Sequence, residues 1–311
     1  MTDTRRHKVV VIAGPTASGK TSLGVKLALA LGGEILNADS MQVYRGMDVG
    51  TAKPTPEEQK GIPHHLLDVV DPDEEFNAAA YRSMAIPVIT DMVARDKPCF
   101  VVGGTGLYIK SLLKGLFECP PSDMEIRESL RRECDTLGSP GLHERLVDID
   151  PQCAQKIHPN DSIRIIRALE IIRLTGRRPS EVTGEHGFRD SRFNALELCL
   201  DVDREELYDR INRRSVRMLE KGLARETENL LRKGYSPELK PMKSIGYRHM
   251  IMCLKGDWSR EEAILRLQRD TRRYAKRQLT WFRADPDFLW IRPDNLGPVL
   301  ERVRTFLFES P

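Results

Sequence analysis

Five consecutive apolar residues, Val9 to Ala13, are followed by Gly14-Pro15-Thr16-Ala17-Ser18-Gly19-Lys20-Thr21, and then Leu23, Leu27 and Leu31 recur at helical spacing. This pattern predicts a buried strand, a glycine loop and a helix. Gly32-Gly33 stops that helix, and Glu34 to Ala38 reads as a second strand ending at Asp39-Ser40-Met41-Gln42. Met47 to Pro63, rich in Gly, Pro, Thr and Lys, predicts a mobile surface loop able to act as a lid. His64-His65 precedes the strand-like Leu66 to Val70, where a structural role outweighs a ligand role because no carboxylate or cysteine stands at matching spacing. Asn77 to Ala94 places Tyr81, Ala85, Val88 and Met92 on one helical face. It leads into a third buried strand, Pro98 to Val102, which opens into Gly103-Gly104-Thr105-Gly106-Leu107-Tyr108.

The pattern changes at Cys119-Pro120-Pro121. Ser122-x-x-Glu125 is a capping-box signature, with Ile126, Leu130, Cys134 and Leu137 on one face of the helix that follows. A second helix runs from Asn160-Asp161 to Gly176, with Arg164 and Arg167 sharing a face. After the basic loop Arg177-Arg178-Pro179, the segment Leu196 to Val202 returns to a strand pattern, as if the chain rejoined a parallel sheet. A long charged helix from Arg204 to Lys233 carries Arg210, Arg213, Arg214 and Arg217, and a turn follows at Lys243 to Arg248. In a helix from Ser259 to Arg283, Arg266, Arg269, Arg273, Lys276 and Arg277 form one stripe; Ile264, Leu267, Tyr274, Gln278 and Phe282 lie opposite. Leu289-Trp290-Ile291 predicts a last strand before a final helix. The expected class is α/β: a parallel-sheet core in two parts, 1–118 and 196–311, with an all-helical insertion at 119–195.

Length agrees with this division, since 311 residues suggest two domains or one with a large insertion at about 150 residues per domain. A net charge of +3 from 49 basic and 46 acidic residues argues neither for nor against nucleic acid, so the basic stripe counts for more than the total. Six scattered cysteines form no C-x-x-C pair, which supports neither a zinc site nor a disulfide framework. No segment approaches the roughly 18 apolar residues of a membrane span, and the first eight residues lack a signal-peptide pattern. A cytoplasmic protein is expected. No long unexplained apolar stripe remains, which makes a monomer the default.

The glycine loop directs successive N–H groups and a helix N-terminus at one point; Lys20 adds a charge and Thr21 a hydroxyl suited to Mg²⁺. Such a loop holds a polyphosphate, either a nucleotide such as ATP or a simpler diphosphate. Asp39 reaches the carboxyl edge of the sheet, where ligands collect, and serves there either as a turn or cap residue or in chemistry. The third strand lacks the metal-binding acid common in P-loop NTPases and offers the Thr105 hydroxyl and amide instead. The basic stripe backed by an apolar face suits an anionic partner.

GPTASGKT, DSMQVY, GGTGLY, IRALE, SIGYR and YAKRQLTWFR occur in this order. From residue 8 to about 290 the chain resembles the tRNA dimethylallyltransferases, or tRNA isopentenyltransferases, and their bacterial form in particular, since no zinc-finger spacing follows residue 253. The resemblance implies a P-loop kinase-like core and a helical insertion that grips the tRNA anticodon stem-loop. It also implies transfer of a dimethylallyl group from dimethylallyl diphosphate to N6 of the adenosine 3′-adjacent to the anticodon, with Mg²⁺. Asp39 matches the family's catalytic acid, which orients the amine and accepts its proton. Thr105 matches the threonine near the bridging oxygen, and Arg214 the arginine on the diphosphate. Gly14 to Thr21 would hold the diphosphate, with Thr21 at the metal. Ser40, Met41 and Gln42 would contact the base. Arg127, Ile163, Arg164, Ile165, Ile166, Arg167, Lys243, Ser244, Ile245, Gly246, Tyr247, Arg248 and Arg277 would contact the rest of the tRNA. The competing expectations are a small-molecule or nucleoside kinase and a non-catalytic RNA-binding protein.

Overall fold

Val9, Val11 and Ala13 pack into one core and Val10 and Ile12 into another, because successive strand side chains point to opposite faces. A strand apolar at every position is covered on both sides, as in a parallel sheet between helices. The computed structural model describes residues 7–116, 122–186 and 192–309. Its elements are β1 (His7–Ala13), α1 (Lys20–Leu31), β2 (Glu34–Asn37), α2 (Pro56–Gln59), β3 (His64–His65), α3 (Ala78–Ala94), β4 (Cys99–Gly103), α4 (Gly106–Lys114), α5 (Met124–Ile149), α6 (Pro151–Ala154), α7 (Ser162–Thr175), α8 (Pro179–His186), β5 (Phe193–Leu200), α9 (Arg204–Glu220), α10 (Leu223–Arg232), α11 (Tyr247–Leu254), α12 (Arg260–Arg283), β6 (Leu289–Ile291) and α13 (Leu296–Phe308).

The six strands pair in parallel in the order β3-β2-β4-β1-β5-β6. Register sets Ala13 beside Gly103 and Cys199, and Asn37 beside Val102. The residues that follow, Gly14, Asp39 and Gly104, therefore leave the sheet at one edge, the carboxyl edge where open α/β sheets bind ligands. Leu23 and Leu27 of α1 with Val299 and Val303 of α13 cover one face. Tyr81 of α3, Tyr108 of α4, Leu219 of α9, Met250 of α11 and Leu267 of α12 contribute to the core on the other.

The chain divides into two compact units, Met1–Leu113 with Ser191–Pro311, and Lys114–Asp190. The described part of the second is helical, with a core of Leu130, Leu142 and Leu146 from α5, Ala154 from α6, and Ile165, Ala168 and Leu169 from α7. Cys119-Pro120-Pro121 lies outside the described residues. No described helix is long and apolar enough to cross a membrane.

Several local expectations are corrected. The helix expected from Arg204 to Lys233 is two, α9 and α10, because Gly222 takes φ 94° between them. The strand expected at Leu66 to Val70 is instead β3, and Leu66 (φ 61°) and Asp68 (φ 53°) leave extended geometry. Asp123, not Ser122, caps α5 by accepting from Ile126 N–H. Leu137, assigned to the apolar face, is exposed because α5 breaks at Gly138.

The segment Met47 to Pro63, expected to be mobile, is fastened at several points. Lys53, only 9% exposed, donates to Tyr44 O and pairs with Asp48 and Asp68. Glu226 accepts from the N–H groups of Asp48, Val49 and Gly50 at 2.8–3.0 Å. These partners lie up to 178 residues away, beyond the reach of local composition.

Candidate active site

The glycine loop joins β1 to α1. Gly19, at φ 99°, precedes Lys20 and leaves α1 without a side-chain cap, so its first N–H groups are open to an anion. Lys20 Nζ donates to Pro15 O at 2.7 Å. Ser18 Oγ is buried behind Gly14 and has no hydrogen-bond partner among the described residues.

At the neighbouring strand tips, Asp39 Oδ1 accepts from Met41 N–H at 2.9 Å, and Asp39 N–H donates to Asn37 Oδ1 at 3.2 Å. Thr105 Oγ1 accepts from Ser40 N–H at 2.9 Å. The Thr105 amide, expected to face the phosphate, is instead spent on Ala38 O at 3.1 Å. This junction leaves no room for side chains: a Cβ at Gly103 would overlap Ala38 O, and one at Gly104 would overlap Nε2 of Gln278. Gln278 accepts from Thr16 N–H at 2.8 Å and donates to Gly104 O at 2.9 Å.

Two cavities meet here. The smaller, about 60 Å³, is lined by Lys20, Thr21, Asn37, Gln42, His64 and Gln278 among others. The larger, about 280 Å³, is walled by Ser40, Met41, Ile211, Met218, Leu267 and Tyr274, with Ser244, Ile245 and Arg248. Thr16, Asp39 and Arg214 line both. The acid thus stands where a small pocket lined by Lys20 and Arg214 adjoins a roomier, mainly apolar one.

Charge follows that geometry. Burial lowers the Lys20 pKa to about 8, with Asp39 pulling it up and Arg214 pushing it down. Burial also lowers Arg214, which Asp39 opposes; its guanidinium stays charged at neutral pH. Burial and the Asp39 carboxylate raise the Tyr274 hydroxyl well above its ordinary range. Two cations and one carboxylate at a concave edge can neutralise a leaving diphosphate and accept a proton nearby.

Of the residues named from sequence, Gly14 to Thr21, Asp39 to Gln42, Thr105, Arg214, Lys243 to Arg248 and Arg277 fall in the sheet unit. Within this set, besides the Thr105 amide, the structure corrects the roles of two. Gln42 Nε2 donates to Thr51 O and Ala52 O, so its amide nitrogen holds the pinned loop and is not free for a base. Tyr247 is fully buried and donates to Glu226 Oε1 at 2.6 Å; it supports the cavity wall from behind and cannot touch RNA. Ser244 lines the larger cavity, and its buried Oγ has no hydrogen-bond partner among the described residues. Lys243 pairs with Glu238, and Arg248 with Asp270 at 2.6 Å. The basic stripe on α12 is partly neutralised as well: Arg266 pairs with Glu262 and Arg269 with Asp270, while Arg277 is exposed beside the Tyr274 ring.

In the helical unit, Ile163 is 81% exposed and Arg164 exposed, Ile166 is half-buried, and Ile165 is fully buried. Ile165 therefore belongs to that unit's core and not to a contact surface. Arg127 and Arg167 both bond Glu170, whose side chain is 0% exposed. The roles of Gln278, Glu226 and Glu170 escaped the sequence reading. A signal existed for Gln278, a lone amide on an otherwise apolar helix face, and for Glu226, between Leu223 and Leu230 on the buried side of α10.

A parallel sheet that delivers a glycine loop, a lysine and an acid to one edge defines an α/β enzyme of the P-loop class. The family model described as IPP transferase matches residues 42–285. The chain belongs to the tRNA dimethylallyltransferase family. It is 51% identical over 303 residues to a tRNA dimethylallyltransferase of Desulfosudis oleivorans, covering 97% of this chain and 96% of that one. With the tRNA dimethylallyltransferase of Geobacter sulfurreducens it shares 52% identity over 295 residues, 94% and 95% of the two chains. Among solved structures, the full-length tRNA isopentenylpyrophosphate transferase of Bacillus halodurans is 41% identical with a TM-score of 0.72, covering 97% of each chain. A eukaryotic dimethylallyltransferase acting on tRNA matches with a TM-score of 0.81 at 31% identity, covering 98% of this chain and 80% of its own.

Proposed function

We propose that this enzyme transfers a dimethylallyl group from dimethylallyl diphosphate to N6 of the adenosine 3′-adjacent to the anticodon of tRNA, giving N6-(dimethylallyl)adenosine, in the cytoplasm. The observation that carries this reading is the shared wall of Thr16, Asp39 and Arg214 between the two cavities. The diphosphate takes the side of Lys20 and Thr21; the isoprenoid and the extruded base take the larger side. The C1–O bond breaks and the N6–C1 bond forms. The diphosphate leaves with the electron pair, and Asp39 takes the proton from N6. An exocyclic adenine amine is a poor nucleophile, so stabilising the leaving anion with Lys20, Arg214, the open amides of α1 and the Thr105 hydroxyl provides most of the acceleration. Extruding the base costs a few kcal/mol, least in a loop.

Mg²⁺ is the expected metal. Among the described residues no cluster of three or more His, Cys, Asp or Glu is arranged to hold an ion, and the hydroxyl donor lining the smaller cavity beside Lys20 is that of Thr21. That sparse set fits an ion whose other ligands are phosphate oxygens and water. When bound, Mg²⁺ neutralises diphosphate charge. In the helical unit, Arg127, Arg164 and Arg167 contact the anticodon stem-loop. The named relatives give no support to the kinase and RNA-binding alternatives.

Incubating the protein with unmodified tRNA and labelled dimethylallyl diphosphate is expected to put label into the RNA. Unlabelled RNA alongside ATP turnover that tRNA does not affect would refute the assignment.

A further inference from the structure

Gln278 belongs to a helix that begins more than 200 residues after the glycine loop, yet it sits between that loop and the Gly-Gly-Thr-Gly turn, 5% exposed. Its partners dictate its orientation. Thr16 N–H requires an acceptor and Gly104 O requires a donor, so Oε1 faces the first and Nε2 the second. The absence of a Cβ at Gly104 gives the amide its room. From Gly104 the connection continues through Thr105 Oγ1 to Ser40 N–H, next to Asp39. One side chain thereby links the segment bearing Lys20 and Thr21 to the segment bearing Thr105 and the acid.

We propose that Gln278 is a positioning residue that clamps the phosphate loop to the Thr105 turn and so sets the spacing between the diphosphate site and Asp39. This rests on the function proposed above. Thr16 N–H is committed to the clamp, so the phosphate contacts come from the amides nearer Lys20. Tyr274, one helical turn earlier on α12, lines the larger cavity while Gln278 lines the smaller, so one face of one helix serves both.

The test replaces the amide in two ways and reads binding of inorganic diphosphate with Mg²⁺ by calorimetry. Q278L leaves Thr16 N–H and Gly104 O without partners and is expected to weaken diphosphate about 10- to 100-fold. It also raises the KM for dimethylallyl diphosphate and leaves the KM for tRNA within about twofold. Q278E discriminates further, and remains informative if Q278L misfolds. Its ionised carboxylate accepts from Thr16 but repels Gly104 O, whereas its protonated form accepts from one and donates to the other, as the amide does. The affinity of Q278E relative to the parent is therefore expected to recover by about tenfold or more as pH falls from 8.5 to 5.5. Lys20 and diphosphate titrate in both proteins, so the ratio reads the ionisation of residue 278, which both breaks the clamp and sets a negative charge in the cavity that takes diphosphate; the loss of affinity in the uncharged Q278L is the part that belongs to the clamp alone. A ratio flat with pH, or a Q278L that binds diphosphate like the parent, overturns the clamp. A parent that binds diphosphate but leaves tRNA unmodified overturns the proposed function alone.

Discussion

Glu170 has no exposed surface, and its carboxylate accepts from Asp123 N–H at 2.8 Å, Arg127 Nε at 3.0 Å and Arg167 Nη1 at 2.6 Å. It therefore ties the N-terminus of α5 to α7 and holds two arginines. In E170A the Asp123 N–H loses its partner, worth about 1–3 kcal/mol for a buried group. Removing one partner from a buried ion pair costs about 3–5 kcal/mol, but both arginine side chains are 32% exposed and water replaces much of that contact. A total near 3 kcal/mol, in a unit of this size, lowers its melting temperature by about 15 °C. Circular dichroism and hydrogen exchange over Lys114–Asp190 measure that shift.

The same carboxylate sets a pH dependence. Burial disfavours the Glu170 anion, but the hydrogen bonds from Arg167, Asp123 N–H and Arg127 outweigh it and hold its pKa below 4.5. A lowered folded-state pKa gives stability that is present above 4.5 and disappears as pH falls through the folded value, so the gap between parent and E170A narrows in acid. E170Q separates positioning from charge. It makes the protein more positive by one, so charge counting alone predicts tighter tRNA binding, whereas arginines released from their mount predict weaker binding. E170A melting with the parent at pH 7, or E170Q binding tRNA more tightly, would refute the reasoning.

Three other outcomes are expected. D39A lowers kcat about 10²-fold or more with tRNA affinity unchanged, and normal turnover would remove Asp39 from the base role. Lys20, with its pKa near 8, is charged below that pH and neutral above it; kcat/KM for dimethylallyl diphosphate should therefore fall between pH 8 and 9.5 and stay level in K20R if the variant still binds. Arg164, 61% exposed with Asp161 as its partner, should contribute about one unit to the log–log salt slope of tRNA binding, and an unchanged slope in R164A returns it to the solvated surface.

Most strands and most helices were legible because periodicity is a short-range property: Val9 to Ala13 must be covered on both faces wherever that strand lies, and a glycine loop between strand and helix makes an anion site in any context. Asp39 was legible as an acid at a strand end, and its approach to the phosphate loop followed from parallel register. Beyond those spans local reading failed. Met47 to Pro63 has the composition of a free loop, yet Glu226 pins it. Tyr247 and Ile165 were both expected to meet RNA, yet both are buried. Gln278 looked like one polar interruption of an apolar face. What each does depends on which distant backbone groups come within 3 Å, and that is decided only when helices cross the sheet at particular angles. The local pattern determined that a phosphate loop and an acid would share an edge; tertiary packing decided the width of the space between them and which side chains hold it open.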